Sequence, residues 1–460
     1  MSSSPQPDCD SIRVVLFRKE ASEVLLVETD EGSAVPSVLV SAHCRVAEAL
    51  TSAIETLWGL SIYCLFELPD RSGAERAVHD QVAEARETAH EVPSAMRWAS
   101  VSSLTDCPNA DVAAIQAALE AFDLYRSDTS QGPFGKPGWL PALVDWIAGE
   151  AAGAGLELTG RLRQLNASPT FSLIRFETNG TALWFKAVGE PNVHEYGITR
   201  ELASRFPRHL PRLVALRPEW HAWLSAESEG RHLTEVSSTG DWEYAAAALA
   251  ELQIASFGNG LHLIALGCKD VRASSLLERV DPFFDYMTEL MKAQAKRTPA
   301  PLTPSEISAL AGEIRKALEE LGESEVPNVL GHRDCNPGNI LVSRERCVFL
   351  DWAEGYVGHP FFTLQYLLEH WQKFHGGDHR GKEAILSAYT APWKSFIPPR
   401  HIAADLSLIP LTAAFACAAS GSVLSATVVR PETAALLRSI TRRMKREADA
   451  WRQGRLACVR

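Results

Sequence analysis

The chain has 460 residues, enough for two or three domains, and 46% hydrophobic and 22% charged residues. This composition is that of a globular protein and excludes a chain that is disordered, collagen-like or coiled-coil throughout. The net charge of −12 argues against a general nucleic-acid coat protein, because phosphate backbones are bound by positive surfaces. We expect a folded protein without a nucleic-acid partner.

The cysteines and the apolar segments bear on the compartment. The nine cysteines are odd in number and scattered, without a CxxC pair, as expected for reduced thiols and no zinc site. No signal-peptide pattern is visible. The most apolar stretch, near 408–420, is shorter than the roughly 20 residues of a membrane span and contains Pro410, which predicts a buried helix. We expect a cytoplasmic protein without a membrane partner.

The first part of the chain alternates β-forming runs with helical ones. Its predicted strands and helices, in order, are strands at 11–17, 23–28 and 37–40, a helix at 46–59, strands at 60–68 and 97–104, and a helix near 110–126. A Ser-, Asp-, Pro- and Gly-rich segment then breaks every periodicity near 127–137. We therefore predict a small α/β domain over 1–130 and a second domain over 131–460.

The second domain begins with strands and continues with helices. Asn179-Gly180 between two alternating runs predicts a β-hairpin, and a helix and a strand pair follow it. Beyond residue 240 the pattern is mostly helical, and Thr303, Pro304 and Glu306 predict a helix start with a capping box. This order predicts an α+β fold with a β-rich lobe at about 157–228 and an α-helical lobe at about 240–460.

The segment LGHRDCNPGNILVSRERCVFLDWAEG, residues 330–355, carries the strongest chemical signal. Asp334 and Asn339 lie in a turn-rich stretch, and Asp351 follows the second strand of a predicted hairpin. Because a hairpin brings its two ends together, the three side chains can converge, and their oxygens suit Mg²⁺. Each residue alone would be an ordinary turn residue, but the HRDxxxxN spacing with a strand-terminal Asp favours a metal-binding site over that reading.

HRDCNPGN followed by FLDWAEGYVGHP resembles the catalytic and metal-binding loops of aminoglycoside phosphotransferase-like enzymes, and similar segments in the same order extend over about 135–460. The resemblance implies a bilobal protein-kinase-like fold. It also implies a phosphotransferase that uses ATP, with GTP as the alternative, and Mg²⁺. The acceptor would be a hydroxyl of a small molecule: a natural product, an antibiotic or a metabolite.

Carried over residue by residue, the resemblance assigns catalysis to Asp334 and metal binding to Asn339 and Asp351. Lys186, in the run TALWFKAV, resembles the lysine that contacts the α- and β-phosphates. Glu195 resembles the helix carboxylate that holds this lysine, and Glu201 is the alternative because the helix register is uncertain by a few residues.

Two further segments resemble nucleotide-binding parts of the family. NASPTF at 166–171, with Ser168, stands where protein kinases have a GxGxxG loop and matches the family's Ser-containing loop. The segment Ser225, Ala226 and Glu227 resembles the hinge whose backbone groups bond adenine.

The sequence departs from the family pattern at two positions. Arg333 stands where the family usually has Gly, and Thr363 stands where it commonly has an Asp that braces the catalytic loop. The second departure predicts a less rigid loop and a lower rate. It also leaves a different class of function as the alternative: a catalytically silent binding or regulatory protein.

Residues 11–126 resemble a Nudix domain in layout. Anchoring the Nudix box on Gly59 and Leu60 places Ser52, Ala53, Thr56 and Leu57 where Arg and three glutamates would stand. Because those glutamates hold the metal, we predict a degenerate Nudix-like domain without hydrolase activity. A Nudix-type hydrolase with an accessory kinase-like lobe is the remaining alternative.

Overall fold

The computed structural model describes residues 9–30, 32–41, 44–69, 79–86, 91–104, 107–127, 132–296, 298–420 and 430–458. The chain divides into two compact units, Met1–Tyr196 with Arg212–Glu227, and Gly197–Pro211 with Ser228–Arg460. Helices and strands both occur in each unit, which confirms the predicted α+β class.

The first unit contains twelve strands and three complete helices among its described residues. The strands are β1 (Cys9–Arg18), β2 (Glu23–Thr29), β3 (Gly32–Ala34), β4 (Ser37–Ser41), β5 (Ile62–Glu67), β6 (His79–Ala85), β7 (Met96–Ser100), β8 (Leu158–Ala167), β9 (Ser172–Thr178), β10 (Leu183–Ala187), β11 (Leu213–Arg217) and β12 (Ala222–Ala226). The helices are α1 (Val46–Trp58), α2 (Asn109–Ser127) and α3 (Trp139–Gly153). Helix α4 (His194–Arg205) begins in this unit and continues in the second.

Strands β1 to β7 form a sheet with a helix on each face. The order is β3-β2-β1-β6-β5, with β4 beside β1 and β7 beside β2, and the pair β1–β6 is parallel. Successive side chains of a strand point to opposite faces. Val14 and Leu16 accordingly join the core that includes α1, whereas Val15 and Phe17 join the core that includes α2.

Strands β8 to β12 form an antiparallel sheet in the order β11-β12-β10-β9-β8. The predicted hairpin at Asn179-Gly180 is confirmed, since β9 and β10 pair with Phe176 opposite Leu183. The predicted strand pair that follows it is also confirmed, as β11 and β12. This sheet spans most of the predicted lobe at 157–228.

The core of the first unit continues across the predicted domain boundary. Phe17 and Phe122 belong to the same buried cluster as Leu143 of α3 and Phe185 of β10. The predicted boundary near 127–137 lies between α2 and α3 and falls partly on residues outside the described ones, and the two compact units do not separate there. The domain limits 1–130 and 131–460 therefore stay a prediction.

The second unit contains short strands and most of the helices. The strands are β13 (Arg231–His232), β14 (Lys269–Val271), β15 (Val329–His332), β16 (Ile340–Val342), β17 (Cys347–Phe349) and β18 (Gly355–Gly358). The helices are α5 (Thr239–Ala255), α6 (Gly260–Ala265), α7 (Ala273–Leu277), α8 (Val280–Lys292), α9 (Pro304–Gly322), α10 (Phe361–His375), α11 (His379–Trp393), α12 (Pro399–Ala419) and α13 (Pro431–Cys458). The strands form two small sheets, β13-β16-β17 and β14-β18-β15.

One large apolar core holds the helices of the second unit together, with Trp242, Trp371, Trp393 and Phe415 fully buried in it. Helix α9 begins with the predicted capping box: Thr303 Oγ1 accepts the Glu306 N–H, and Glu306 Oε2 accepts the Thr303 N–H at 2.9 Å. These bonds satisfy two amide groups that the first turn would otherwise leave without partners.

Helix α12 is the one helix, in the part of the chain that the structure describes, with the length and apolar composition of a membrane span. Of its most apolar 18-residue stretch, 61% is buried inside the protein. A core helix that is mostly buried has the same length and composition. Leu408, Ile409, Leu411 and Phe415 belong to the core of the second unit. The prediction of a buried helix around Pro410 is confirmed.

Candidate active site

The hairpin of β16 and β17 places Asn339 and Asp351 at the same end of two paired strands. Ile340 lies opposite Phe349, and the Leu350 N–H donates to the Asn339 carbonyl at 2.8 Å. Asn339 ends the one-turn 3-10 helix before β16, and Asp351 follows Leu350 after β17. The predicted hairpin geometry is thus present.

Asp334 and Asn339 are joined by direct hydrogen bonds. Asn339 Nδ2 donates to the backbone carbonyl of Asp334 at 2.9 Å and to its Oδ2 at 3.2 Å. The other oxygen, Oδ1, accepts from Asn336 Nδ2 at 3.0 Å and lies 3.5 Å from the Tyr366 hydroxyl. With its amide nitrogen engaged, Asn339 has Oδ1 as the atom that can bind a cation.

Asp351 adopts a left-handed backbone conformation, with φ 62° and ψ 71°. This conformation costs a residue with a Cβ about 1–2 kcal/mol relative to the ordinary regions. Such backbone strain clusters at active sites and ligand clamps. The strain therefore supports a functional role for the turn between β17 and the one-turn 3-10 helix Trp352–Glu354.

His332 braces the loop that carries Asp334 from the end of β15. It is fully buried, its ring lies 4.6 Å from the Trp352 ring, and its Nε2 is 2.8 Å from the Leu350 carbonyl oxygen. Burial lowers the pKa of His332, so the neutral ring donates from Nε2 to that carbonyl. This bond fixes the turn before Asp351 against the start of the Asp334 loop.

Thr363 supplies a hydrogen-bond acceptor to the loop that carries Asp334. Its buried hydroxyl oxygen accepts the His332 backbone N–H at 3.0 Å and lies 2.8 Å from the Tyr356 hydroxyl. The Tyr356 hydroxyl oxygen in turn accepts the Thr363 N–H at 3.0 Å. The loop therefore has a neutral hydrogen-bond acceptor at this position, and the expectation of a less rigid loop and a lower rate stays a prediction.

Arg333 ties the same loop to the turn after Asp351. Its backbone N–H donates to the Glu354 carbonyl at 3.1 Å, and its guanidinium contacts the Glu354 carboxylate. Lys269 Nζ donates to the same carboxylate at 2.6 Å. Burial would raise the pKa of Glu354, but the hydrogen bond from Lys269 and the charge of Arg333 bring it below its usual value.

Lys186 and Glu195 are brought together in the first unit, with Lys186 Nζ 2.6 Å from Glu195 Oε1. The Glu195 side chain is 2% exposed and that of Lys186 13%, so water screens the pair little. The ammonium also lies 5.8 Å from the Phe171 ring centroid and 5.6 Å from that of Trp223. Both are distances of a cation–π contact.

Glu201, the alternative partner of the lysine, contacts other cations. Its Oε1 accepts from Arg205 Nε and lies 3.0 Å from His262 Nε2. The hydrogen bond from Arg205 lowers the pKa of Glu201. Helix α4 thus presents Glu195, and not Glu201, to Lys186.

The predicted hinge residues belong to β12 or follow it directly. The Ala226 N–H donates to the Arg212 carbonyl at 2.9 Å, and the Glu227 N–H donates to the Ala182 carbonyl at 2.8 Å. Neither N–H can therefore donate to adenine without breaking a backbone hydrogen bond. The Glu227 carboxylate accepts both Arg175 Nε and Nη2, at 2.6 and 2.9 Å. Ser225 is buried within the strand.

Ser168 lies in the loop between β8 and β9. Its N–H donates to the Phe171 carbonyl at 2.9 Å, and its Oγ accepts the Thr170 N–H at 3.3 Å. Both bonds close the tight loop on itself.

The Nudix-box positions all lie on α1, where the described side chains of Ser52, Ala53, Thr56 and Leu57 supply no carboxylate. Among the residues that the structure describes, no group of three or more His, Cys, Asp or Glu side chains could hold a metal ion.

Sequence reasoning did not identify Asn336, Tyr366 or Tyr356, which support Asp334 and Thr363. The spacing of Asn336, two residues after Asp334 and before Pro337-Gly338, is a turn signal that could have revealed it. Tyr366 and Tyr356 come from other elements, and no local pattern indicates their contacts.

This geometry can be compared with known proteins. Residues 191–393 match the phosphotransferase enzyme family. The matched residues include Glu195, Asp334, Asn339 and Asp351, whereas Lys186 precedes them. Among curated proteins, no relative matches the chain.

Several solved structures of phosphotransferases are similar to the chain. The macrolide 2'-phosphotransferase MphH from Brachybacterium faecium is 18% identical, over 62% of this chain and 99% of its own, with a TM-score of 0.38. Spectinomycin phosphotransferase APH(9)-Ia, in complex with ADP and spectinomycin, is 12% identical over 65% and 95%, with a TM-score of 0.42. A choline/ethanolamine kinase family protein from Mesorhizobium loti is 17% identical over 67% and 99%, with a TM-score of 0.42.

Proposed function

We propose that the protein is a small-molecule O-phosphotransferase that moves the γ-phosphoryl group of ATP to a hydroxyl, with Mg²⁺. The observation that carries the proposal is the hydrogen-bonded arrangement of Asp334 and Asn339 beside the strained Asp351, within the phosphotransferase-family region. GTP is the alternative nucleotide, and the cytoplasm is the expected compartment.

Asn339 and Asp351 would hold the metal. The donor set fits Mg²⁺, because both offer hard oxygens and Asn339 is oriented by its bonds to Asp334. Bound there, Mg²⁺ would neutralise charge on the phosphate oxygens.

Asp334 would align the acceptor and take its proton. The Asn336 and Tyr366 contacts at Oδ1 and the Asn339 contact at Oδ2 fix the orientation of this carboxylate. As the acceptor oxygen forms its bond to the γ-phosphorus, the bond to the ADP oxygen breaks and the hydroxyl proton passes to Asp334. Little covalent chemistry is asked of the protein, so positioning supplies most of the rate.

Lys186 would bind the α- and β-phosphates, with Glu195 holding its ammonium in place. The positive charge would attract the phosphates in the ground state and stabilise the negative charge that develops on the leaving ADP. Ser168 and the segment Ser225, Ala226 and Glu227 stay proposed nucleotide contacts. For Ala226 and Glu227 the engaged N–H groups leave the carbonyls as the proposed contact atoms.

Residues 11–126 are proposed to be a degenerate Nudix-like domain without activity. The proposal is supported by a mixed sheet covered by α1 and α2 and by the side chains at Ser52, Ala53, Thr56 and Leu57. Hydrolysis of nucleoside diphosphate derivatives that survives Asp334→Ala would contradict it and favour the hydrolase alternative.

The proposed function is tested by screening hydroxylated metabolites and antibiotics with ATP and Mg²⁺, and detecting a phosphate mass shift on the product. Asp334→Asn is the matched inactive control. We expect product from the unaltered protein and a rate at least about a hundredfold lower for the variant. Nucleotide binding without transfer to any acceptor would favour the silent binding protein.

A further inference from the structure

The two sheets of the first unit meet at their outer strands. Strand β5 is the last strand in the described order of the first sheet, β1 to β7, and β8 is the last strand in that of the second sheet, β8 to β12. The outward backbone groups of such edge strands face no further strand of their own sheet. Where β5 and β8 approach each other, a side chain supplies the missing hydrogen bonds.

Gln164 of β8 bridges the two sheets. Its Oε1 accepts the Cys64 N–H of β5 at 2.7 Å, and its Nε2 donates to the Cys64 carbonyl at 2.9 Å. Gln164 is 1% exposed and Cys64 is fully buried. The side-chain amide has both an acceptor and a donor, so it pairs with one backbone residue as a neighbouring strand would. Without it, two buried backbone groups would lose these bonds, a loss larger than the net contribution of an ordinary hydrogen bond.

Two exposed contacts lie beside this bridge. The Arg163 guanidinium contacts the Glu48 carboxylate of α1, and Arg86 Nη2 donates to the Gly160 carbonyl at 3.2 Å. Exposed charged contacts contribute little to stability, because water screens them and long side chains lose freedom when they form. Among these polar contacts, the buried Gln164 amide therefore contributes most to holding β8 against the first sheet.

The bridge lies four residues before Ser168, in the strand that leads into the Ser168 loop, residues 168–171 between β8 and β9. The pairing of β8 with β9 shifts register between Gln164 and Asn166, so the ladder is irregular at this end of β8. Ala167 packs against the core that includes α1. The end of β8 is thus held by the first sheet at Gln164 and by the α1 core at Ala167.

Resting on the proposed function, we propose that Gln164 is a positioning residue for nucleotide binding. Through its bonds to Cys64, the first sheet holds the end of β8, and with it the Ser168 loop, in place over the phosphates of ATP. The loop that protein kinases have at this point of the fold covers the phosphates. The first sheet then acts as a fixed support for the phosphotransferase, a role that requires no carboxylates at the Nudix-box positions of α1.

Hydrogen exchange of the nucleotide-free protein tests the attachment. Gln164→Met is similar in length and removes both bonds to Cys64. Gln81→Met is the matched control, because Gln81 is a buried glutamine of β6 whose Nε2 donates to the carbonyl of Val82 in the same strand. We expect Gln164→Met to lower the amide protection of peptide 164–171 about fivefold or more, and Gln81→Met and Arg163→Gln to leave it within about twofold.

The location of the effect separates positioning from general destabilisation. Peptide 23–29 of β2 should keep its protection in Gln164→Met, and an equal loss there would overturn the inference, as would unchanged protection at 164–171. If Gln164→Met does not fold, the unaltered protein decides the question in urea below its unfolding transition. Peptides 62–67 and 158–167 should then lose protection together, and an earlier loss at 158–167 would overturn the inference.

Titration calorimetry with Mg²⁺ tests the consequence for the nucleotide. Gln164→Met should weaken ATP binding about fivefold or more and adenosine binding less than about twofold, because the proposed loop contacts are to phosphates. Unchanged ATP binding, or equal weakening of both ligands, would overturn the positioning role. An unaltered protein that binds no ATP, with the exchange results as expected, would instead contradict the proposed function, since the attachment is measured without nucleotide.

Discussion

We predict that the Thr363 hydroxyl stabilises the loop that carries Asp334. Thr363→Val keeps the side-chain shape but removes the oxygen that accepts the His332 N–H at 3.0 Å and contacts Tyr356 at 2.8 Å. Because the His332 N–H is buried, losing its acceptor should cost about 1–3 kcal/mol. Thr363→Ser keeps the hydroxyl and loses one methyl group, which should cost about 1 kcal/mol.

Hydrogen exchange of the peptide that contains His332 measures this cost locally, which suits a chain with two compact units. We expect Thr363→Val to reduce amide protection about 5- to 150-fold, and Thr363→Ser to restore most of it. Thr412→Val on α12 is the matched control, because the buried Thr412 hydroxyl donates to a helix carbonyl and serves as acceptor for no N–H in the described residues. Protection within twofold of the unaltered protein in Thr363→Val would refute the brace.

Three further predictions follow from the Lys186–Glu195 ion pair, the proposed catalytic carboxylate of Asp334 and the buried Glu84. Lys186→Ala should reduce the rate of phosphoryl transfer more than Glu195→Gln does, and Glu201→Gln should leave the rate unchanged. A lower rate in Glu201→Gln together with an unchanged rate in Glu195→Gln would contradict the pairing of Lys186 with Glu195 at 2.6 Å. Asp334→Asn should lower turnover about a hundredfold at saturating ATP while nucleotide affinity stays within about twofold, and a near-normal rate would exclude its catalytic role. Glu84 is a buried residue of β6, and its burial raises its pKa above the usual 4.5. Its favourable contribution to the free energy of unfolding, full below pH 4.5, should therefore be lost as the pH rises through the folded-state pKa. Glu84→Gln should reduce the pH dependence of the free energy of unfolding measured in urea. An unchanged pH profile in this variant would show that the Glu84 carboxylate does not cause that dependence.

The local pattern around the hairpin is sufficient to predict that Asn339 and Asp351 lie at the same end of β16 and β17. Turn residues and alternation specify a hairpin, and its register places the polar residues at one end. The left-handed Asp351 was not predictable, because only tertiary contacts hold a non-glycine residue in that conformation.

Interactions between distant segments explain the remaining differences. The family pattern at Thr363 suggested a missing brace, but a hydroxyl serves as an acceptor once Tyr356, from β18, is beside it. The Pro- and Gly-rich segment near 127–137 predicts a domain boundary, which stays a prediction, while Phe122 and Leu143, on either side of it, belong to one core. A turn signal marks where a chain bends, whereas the extent of a core depends on what is packed against it.

The central claim is that Asn339 and Asp351 hold the Mg²⁺ of a nucleotide. The most direct measurement is isothermal titration of ATP, with and without Mg²⁺, into the unaltered protein, Asp351→Ala and the control Asp285→Ala, an exposed carboxylate on α8. We predict that Mg²⁺ strengthens ATP binding by the unaltered protein and by Asp285→Ala, and that Asp351→Ala loses this gain while remaining folded by circular dichroism. The same Mg²⁺-dependent gain in folded Asp351→Ala would contradict the claim.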